Sequence, residues 1–279
     1  MKQFIHTIVY GSVFISLCTV GLCMETSLLL HLPFNNFPFY LLVFAATLGQ
    51  YNIHYFIKKT ANLNSERFRW SASHRGLHLI FNVFGAIGVI IGLFFLGIKH
   101  FMVLGIIAAI TILYSFPFLP FPNKKRLKDF GILKILILSY VWTLITVWFP
   151  VVTLTRITPG FQIVFYQRFV FMFILCLAFD VRDIETDSRD HIQTLPVMVG
   201  KRWSYWIMYV SLVLFVALSL FDFQITHQFM QLNAMIVSAL ATYFMIEYSR
   251  TNDTDMTYLA GIDGMMLLQA LLVGIAAIG

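Results

Sequence analysis

The sequence predicts an all-α integral membrane protein with nine transmembrane helices. Of its 279 residues, 59% are hydrophobic and only 11% are charged, whereas soluble domains usually contain about 25% charged residues. The mean hydropathy is +0.81. A helix needs about 20 mainly apolar residues to cross the hydrocarbon core of a bilayer. Nine stretches satisfy that requirement and fill most of the chain, so we expect a single domain over residues 1–279.

The predicted spans follow one another with few long connections. The first is too long and too weakly basic for a cleaved signal peptide, so it is interpreted as a span. Cys18, Cys23 and Cys176 lie inside spans without metal-ligand spacing, so they are interpreted as core residues. The spans are predicted at roughly 4–30, 37–57, 77–97, 100–117, 131–149, 160–179, 203–221, 230–248 and 257–278.

The second span is polar at its end, where Asn52 and His54 precede Lys58 and Lys59. Polar side chains at membrane depth are costly unless they face protein or a wet cavity. The sequence allows two roles for Asn52: it lines a cavity, or it forms hydrogen bonds between helices. The basic connection over 64–75 is either an interfacial segment held by lipid phosphates or a ligand-binding loop.

The fourth span ends after Tyr114, because Pro117 and two later prolines prevent the helix from continuing. A cluster of four cations follows at the rim of the membrane. By itself such a cluster is usually an orientation signal. Its members are Lys124, Lys125, Arg126 and Lys128.

The sixth span ends in an unusual acidic run. If the helix continues through this run, Asp180, Asp183, Asp187 and Asp190 fall within an arc of about 80°. The neighbouring arginines fall on the other side, so we expect them to neutralise these carboxylates poorly. Four like charges near the negative end of a helix dipole favour an external cation, and carboxylate oxygens suit Mg²⁺ bridging to a phosphate. The alternative is a solvated acidic helix end.

The last two spans each contain one acidic residue. Glu247 lies near a helix end, where Arg250 can pair with it at i,i+3 spacing. Asp263 lies deeper, and a charged carboxylate there costs at least about 2.5 kcal/mol on insertion scales. We therefore expect Asp263 to face the bundle interior near the cytoplasmic rim, or to be hydrogen-bonded.

The basic residues predict the orientation. Of 19 Lys and Arg residues, only Lys99, Arg156 and Arg168 fall on or near one side of the membrane. By the positive-inside rule the N-terminus is cytoplasmic and the C-terminus is external, and we expect the chain in the cell inner membrane. The net charge of +6 reflects this topology and a phosphate-bearing ligand, and we expect no nucleic-acid partner.

Three stretches resemble those of the intramembrane prenyltransferases, the UbiA superfamily. Asp180, Asp183 and Asp187, followed by Thr194-Leu195-Pro196-Val197 and Gly200, closely resemble its second aspartate-rich motif. Tyr114-Ser115-x-Pro117 with Arg126-Leu127-Lys128 resembles the segment after its fourth helix. Ile262-Asp263-Gly264 also resembles the closing helix of the family, so the resemblance covers essentially the whole chain.

The resemblance implies a UbiA-like bundle around a central cavity that is open to the cytoplasm and to lipid. In such enzymes Mg²⁺ and basic residues hold an isoprenyl diphosphate while an acceptor is alkylated. It implies Asp180, Asp183 and Asp187 as catalytic residues and Mg²⁺ ligands, with Asp190 less important. It also implies substrate contacts from a second set of residues. These are Asn52, Lys58, Tyr114, Arg126, Lys128 and Asp263.

The sequence also departs from the family pattern. The first aspartate motif should fall between Asn52 and Asn64, yet no Asp or Glu occurs from His31 to Ser65. Asn52 matches the leading residue of that motif, and Lys58 and Lys59 are candidates to replace a metal's charge. His191 stands where the family usually has glycine.

Three functions are compatible with this pattern. The first is transfer of an isoprenyl group to an acceptor in isoprenoid-lipid or quinone-type biosynthesis, assisted by Mg²⁺. The second is a membrane terpene cyclase with the same fold. The third is a non-catalytic descendant that binds an isoprenoid lipid or assists a partner. No residue pattern identifies the acceptor.

Overall fold

The structure is a computed structural model that describes residues 2–57, 65–115, 131–153, 159–189 and 191–278. Of residues 2, 54–57 and 115 it describes the backbone alone. Regular structure in this part of the chain is helical throughout. The α-helices are α1 Lys2–Tyr10, α2 Val13–Leu29, α3 Phe37–Ile57, α4 Glu66–Ser73, α5 Arg75–Phe94, α6 Ile98–Ser115, α7 Gly131–Thr143, α8 Phe149–Val151, α9 Pro159–Arg182, α10 Ile184–Arg189, α11 Leu195–Thr226, α12 Phe229–Ser249 and α13 Gly264–Ala276.

Two spans contain a π-helical turn. Leu144–Trp148 joins α7 to α8, and Thr257–Ile262 precedes α13. Such turns often occur at functional sites because they redirect side chains within a helix. The second turn ends beside Asp263, one of the predicted site residues.

Helices occupy all nine predicted stretches. Six of the described helices or continuous pairs are long and apolar enough to cross a membrane, or seven when the bent pair α1–α2 is counted. The shorter apolar helix within α6 falls below that length. The predicted class of an all-α, multi-pass membrane protein is therefore confirmed, whereas the number of nine spans is not.

The spans pack side by side into a bundle. Helix α2 contacts α3 and α13, and the chain continues through contacts of α3 with α5, α7 with α9, α9 with α11, and α11 through α12 to α13. The first and last spans are thus neighbours. Large apolar side chains such as Phe94 and Val213 are exposed on the outside, as expected where lipid covers the surface. The central cavity implied by the resemblance stays a prediction.

A buried ion pair crosses the bundle. The Arg168 guanidinium on α9 lies 3.0 Å from a carboxylate oxygen of Glu25 on α2, and Arg168 also donates to the Gln269 side chain on α13 at 3.4 Å. The Glu25 side chain is fully buried and that of Arg168 is 2% exposed. Ionisable groups at membrane depth need such partners, so this pair joins three spans.

Candidate active site

Asp180 and Asp187 converge on a lysine from a different helix. Asp180 lies in the last turn of α9 and Asp187 lies in α10, and they are only 5% and 7% exposed. The Lys134 Nζ atom, from the first turn of α7, lies 2.9 Å from Asp180 Oδ1 and 3.3 Å from Asp187 Oδ2. The helical arc predicted that these two aspartates lie together, and they do, although α9 ends at Arg182 and α10 begins at Ile184. Lys134 contacts both and supplies one positive charge; the binding of a further cation stays a prediction.

A close backbone contact joins the start of α7 to the connection after α10. Gly131, at the start of α7, packs directly on the connection that follows α10. A Cβ atom at Gly131 would lie 1.4 Å from the Gln193 carbonyl oxygen, so a larger residue there cannot be accommodated without backbone movement. His191 in the same connection has φ of 55°. That left-handed conformation suits glycine best, which explains why a family glycine at this position fits the fold.

Asp183 faces away from the Lys134 contact. Its side chain is 41% exposed, and the Arg182 guanidinium donates to both carboxylate oxygens, at 2.8 and 3.1 Å. The expectation that the neighbouring arginines neutralise the aspartates poorly is therefore wrong for this adjacent pair. The three predicted metal ligands thus form two separate groups, one around Lys134 and one around Arg182.

The Lys134 group retains excess negative charge. With both carboxylates ionised, the two aspartates and one ammonium sum to one negative charge. Asp180 Oδ2 is buried and accepts no hydrogen bond from the described residues. Burial raises the pKa of Asp187, the Lys134 ammonium opposes that change, and the charge of Asp183 adds to it. The group is therefore suited to attract a further positive charge or a proton.

The described residues do not present a resident Mg²⁺ site. Nowhere in the described ranges do three His, Cys, Asp or Glu side chains lie together as metal ligands. Mg²⁺ requires octahedral oxygen ligands, and the Lys134 ammonium occupies one oxygen of each buried aspartate. A divalent ion between Asp180 and Asp187 would have to displace that ammonium. The residues as placed do not fit the metal.

Asn52 makes contacts only of a structural kind in the described part of the chain. Its amide nitrogen donates to the carbonyl oxygens of Gly11 at 2.9 Å and Leu48 at 2.8 Å. Its amide oxygen lies 2.5 Å from His78 Nδ1 on α5. Of the two alternatives for Asn52, hydrogen bonding between helices is the one observed. It supports the 57° bend between α1 and α2 at Gly11 and Ser12.

The remaining predicted substrate contacts divide between described and undescribed residues. The Tyr114 hydroxyl lies close enough to Lys134, Asp180 and Asp187 to interact with their charges. Asp263 is 8% exposed and does not face lipid, as predicted. Lys58, Arg126, Lys128 and also Asp190 lie outside the described residues.

Lys134 is the site residue that sequence reasoning missed. In the sequence it is only one of the basic residues on the side of the membrane opposite Lys99 and Arg156. The sequence signal was weak, because a lysine in the first turn of an apolar span either reaches the membrane interface or pairs with a carboxylate. The pairing of Glu247 with Arg250 at 3.0 Å was predicted correctly.

Comparisons with known proteins identify the fold family. The family described as the UbiA prenyltransferase family matches residues 69–257, more than half of the chain. No curated protein sequence matches. Among solved structures, one concerned with digeranylgeranylglyceryl phosphate synthase is 16% identical, with a TM-score of 0.59 over 100% of this chain and 99% of that chain.

Two further matches are structures of a UbiA homologue from Archaeoglobus fulgidus. The structure bound to GPP and Mg²⁺ is 13% identical, with a TM-score of 0.60 over 98% of each chain. The structure bound to DMAPP and Mg²⁺ is also 13% identical, with a TM-score of 0.59 over 98% of this chain and 97% of that chain. The TM-scores show a shared fold. Because the family match covers more than half of the chain, the chain belongs to the UbiA prenyltransferase family of membrane proteins.

Proposed function

We propose that this membrane prenyltransferase transfers an isoprenyl group from an isoprenyl diphosphate to an acceptor in isoprenoid-lipid or quinone-type biosynthesis. The observation that carries the proposal is the meeting of Asp180 and Asp187 with Lys134 at the end of α9, within a chain of this family. The Archaeoglobus fulgidus homologue, which shares the fold, is bound to GPP or DMAPP in its structures. We further propose a single domain over residues 1–279.

The proposed reaction needs positive charge at the leaving group. Breaking the bond between the allylic carbon and the diphosphate oxygen leaves negative charge on the diphosphate, and fixed cations stabilise that charge. The acceptor then attacks the allylic cation and loses a proton. We propose that Lys58, Arg126 and Lys128 supply these cations, whereas Lys134 neutralises part of the charge of Asp180 and Asp187. Asn52, Tyr114 and Asp263 are proposed substrate contacts.

Lys134 changes what is expected of magnesium. We propose that its ammonium, which contacts Asp180 and Asp187, takes over charge neutralisation that a metal provides elsewhere. Mg²⁺ held by Asp180, Asp183 and Asp187 is the competing prediction. The two proposals differ in how metal affects the wild-type protein, so a titration with Mg²⁺ separates them.

A second candidate function is non-catalytic binding of an isoprenoid lipid. Two observations favour it: no carboxylate occurs between His31 and Ser65, and the hydrogen-bonding groups of the Asn52 amide are engaged within the protein. A protein of this kind would retain a bundle that binds an isoprenoid while lacking part of the machinery for ionising the diphosphate.

Binding of a non-hydrolysable isoprenyl diphosphate analogue tests the proposed site. Wild type and Glu185→Gln, an exposed charge outside the Lys134 group, should bind equally. Asp180→Asn removes a buried charge beside Lys134 and should change the affinity. Equal binding by all three proteins would reject this location for the substrate.

The orientation is proposed on the distribution of basic residues. We propose that the protein lies in the cell inner membrane with its N-terminus in the cytoplasm and its C-terminus outside. The Lys134 group then faces the cytoplasm, where a water-soluble diphosphate head group can reach it.

A further inference from the structure

A charged cavity lies beside the bundle end that carries the aspartates. It has a volume of about 600 Å³ and is formed where α9 and α12 end and α11 and the second π-helical turn begin. None of Asp180, Asp187 or Lys134 lines it. Its charged lining consists of four cations and one carboxylate, namely Arg182, Lys201, Arg202, Arg250 and Asp253.

A break in α11 concentrates positive charge in this cavity. Gly200 interrupts the helix with φ of 84° and ψ of 160°, so Lys201 and Arg202 begin a new helical segment. The N-terminus of a helix is the positive end of its dipole, and cations are disfavoured there. Neither residue forms an ion pair with a described acidic side chain, whereas Arg182 pairs with Asp183 and Arg250 with Glu247. An anion would relieve this repulsion.

The cavity has an aromatic wall beneath its cations. The Arg250 guanidinium carbon lies 4.9 Å from the centre of the Tyr205 ring, and that of Arg182 lies 5.2 Å from the buried Tyr258 ring. Trp206 and Tyr209 complete this wall. Cations stacked on aromatic rings are held in place while their N–H groups remain able to bind an anion.

An apolar surface continues from the wall along the outside of the bundle. The Tyr209 ring centre lies 5.5 Å from that of Tyr243 on α12. Phe244 on α12 and Val213 on α11 are 65% and 70% exposed, respectively. The cavity therefore offers cations at one end and a lipid-facing aromatic and apolar surface at the other.

We propose that this cavity binds the phosphate group of a membrane amphiphile, with Lys201 and Arg202 contacting the phosphate and the apolar chain lying along α11 and α12. Two sources share that chemistry: an anionic phospholipid of the surrounding leaflet and an isoprenyl phosphate. The phospholipid source is independent of the proposed enzymatic function, whereas the isoprenyl source rests on it. If the basic residues serve only to orient the protein in the membrane, neither amphiphile will bind.

The test measures ligand binding to the purified full-length protein in neutral detergent by native mass spectrometry. The probes are phosphatidylglycerol, geranylgeranyl phosphate and, as a zwitterionic comparison, phosphatidylcholine. Lys201→Gln combined with Arg202→Gln should weaken anionic binding about 30-fold, since each cation near a membrane surface contributes about 1 kcal/mol to anionic lipid binding. Lys99→Gln combined with Arg189→Gln removes the same charge from exposed positions elsewhere and should bind like wild type.

The outcomes distinguish the two sources and the failure of the proposal. Preferential binding of phosphatidylglycerol that only the cavity variant loses identifies a phospholipid site, even if the protein has no transferase activity. The same pattern with geranylgeranyl phosphate alone identifies an isoprenyl site. Asp253→Asn removes the one carboxylate and should tighten anionic binding about twofold to fivefold. Equal losses in the cavity and control variants, or no preference over phosphatidylcholine, would overturn the proposal.

Discussion

Replacing Lys134 with methionine removes the ammonium and keeps most of the side-chain volume. Its Nζ atom lies 2.9 Å from Asp180 and 3.3 Å from Asp187, and the Lys134 side chain is only 21% exposed. Removing one partner of a buried ion pair costs about 3–5 kcal/mol, because an uncompensated charge remains. We therefore expect Lys134→Met to lower the melting temperature markedly, and the same change at the exposed Lys99 to leave it unchanged.

Magnesium should rescue the Lys134→Met variant and have no effect on wild type. Without the ammonium, both buried carboxylates can turn their oxygens to a divalent ion. A ligand present at 100 times its dissociation constant stabilises the folded protein by about 2.7 kcal/mol, which is comparable to the loss. The assay is thermal unfolding in detergent with increasing Mg²⁺ and with EDTA. Mg²⁺ stabilisation of wild type equal to that of the variant would refute the reasoning, as would an unchanged melting temperature of the variant.

Three further predictions concern the fold. Asn52→Ala should destabilise the protein by about 2 kcal/mol or more, because the buried Gly11 carbonyl and the His78 ring each lose a hydrogen bond. Thermal unfolding measures the loss, and a variant as stable as wild type would contradict the role of Asn52. Glu25→Gln should cost about 3–5 kcal/mol by leaving the Arg168 guanidinium unpaired, and adding Arg168→Met should restore part of this loss. A topology reporter fused after Gly279 should be located outside the cell membrane, and one inserted within 124–129 should be located in the cytoplasm. The opposite location at both positions would reject the proposed topology.

The fold was predictable because membrane spans follow from local sequence. A run of apolar residues of bilayer length is sufficient to identify a span, and α3 begins and ends at the predicted residues 37 and 57. The bend between α1 and α2 was not predicted, since it depends on a left-handed Ser12 and on Asn52 from another helix. Contacts of this kind are set by packing and leave no periodic signal in the sequence.

The candidate site was predictable only in part. Asp180 and Asp187 lie close together as the helical repeat predicts, although α9 ends at Arg182 and α10 begins at Ile184. Asp183, which the same arc includes, faces away and pairs with Arg182. Lys134 comes from a different span, 53 residues from Asp187, so local spacing could not reveal its contact with them. The charged cavity at α11 was missed for a related reason, because it arises from a helix break at Gly200 and residues of four separate elements.

The central claim is that the aspartates at the end of α9 support isoprenyl transfer. It is tested most directly by incubating the purified protein with labelled geranylgeranyl or farnesyl diphosphate and a panel of acceptors, with and without Mg²⁺. Diphosphate release and prenylated product are measured together. Wild type and Glu185→Gln should form product. Asp180→Asn should be about 100-fold slower, because the Lys134 ammonium loses the carboxylate that positions it at 2.9 Å and misplacement of active-site groups costs about that factor. Binding of the diphosphate by wild type without product from any acceptor would contradict the claim and favour non-catalytic lipid binding.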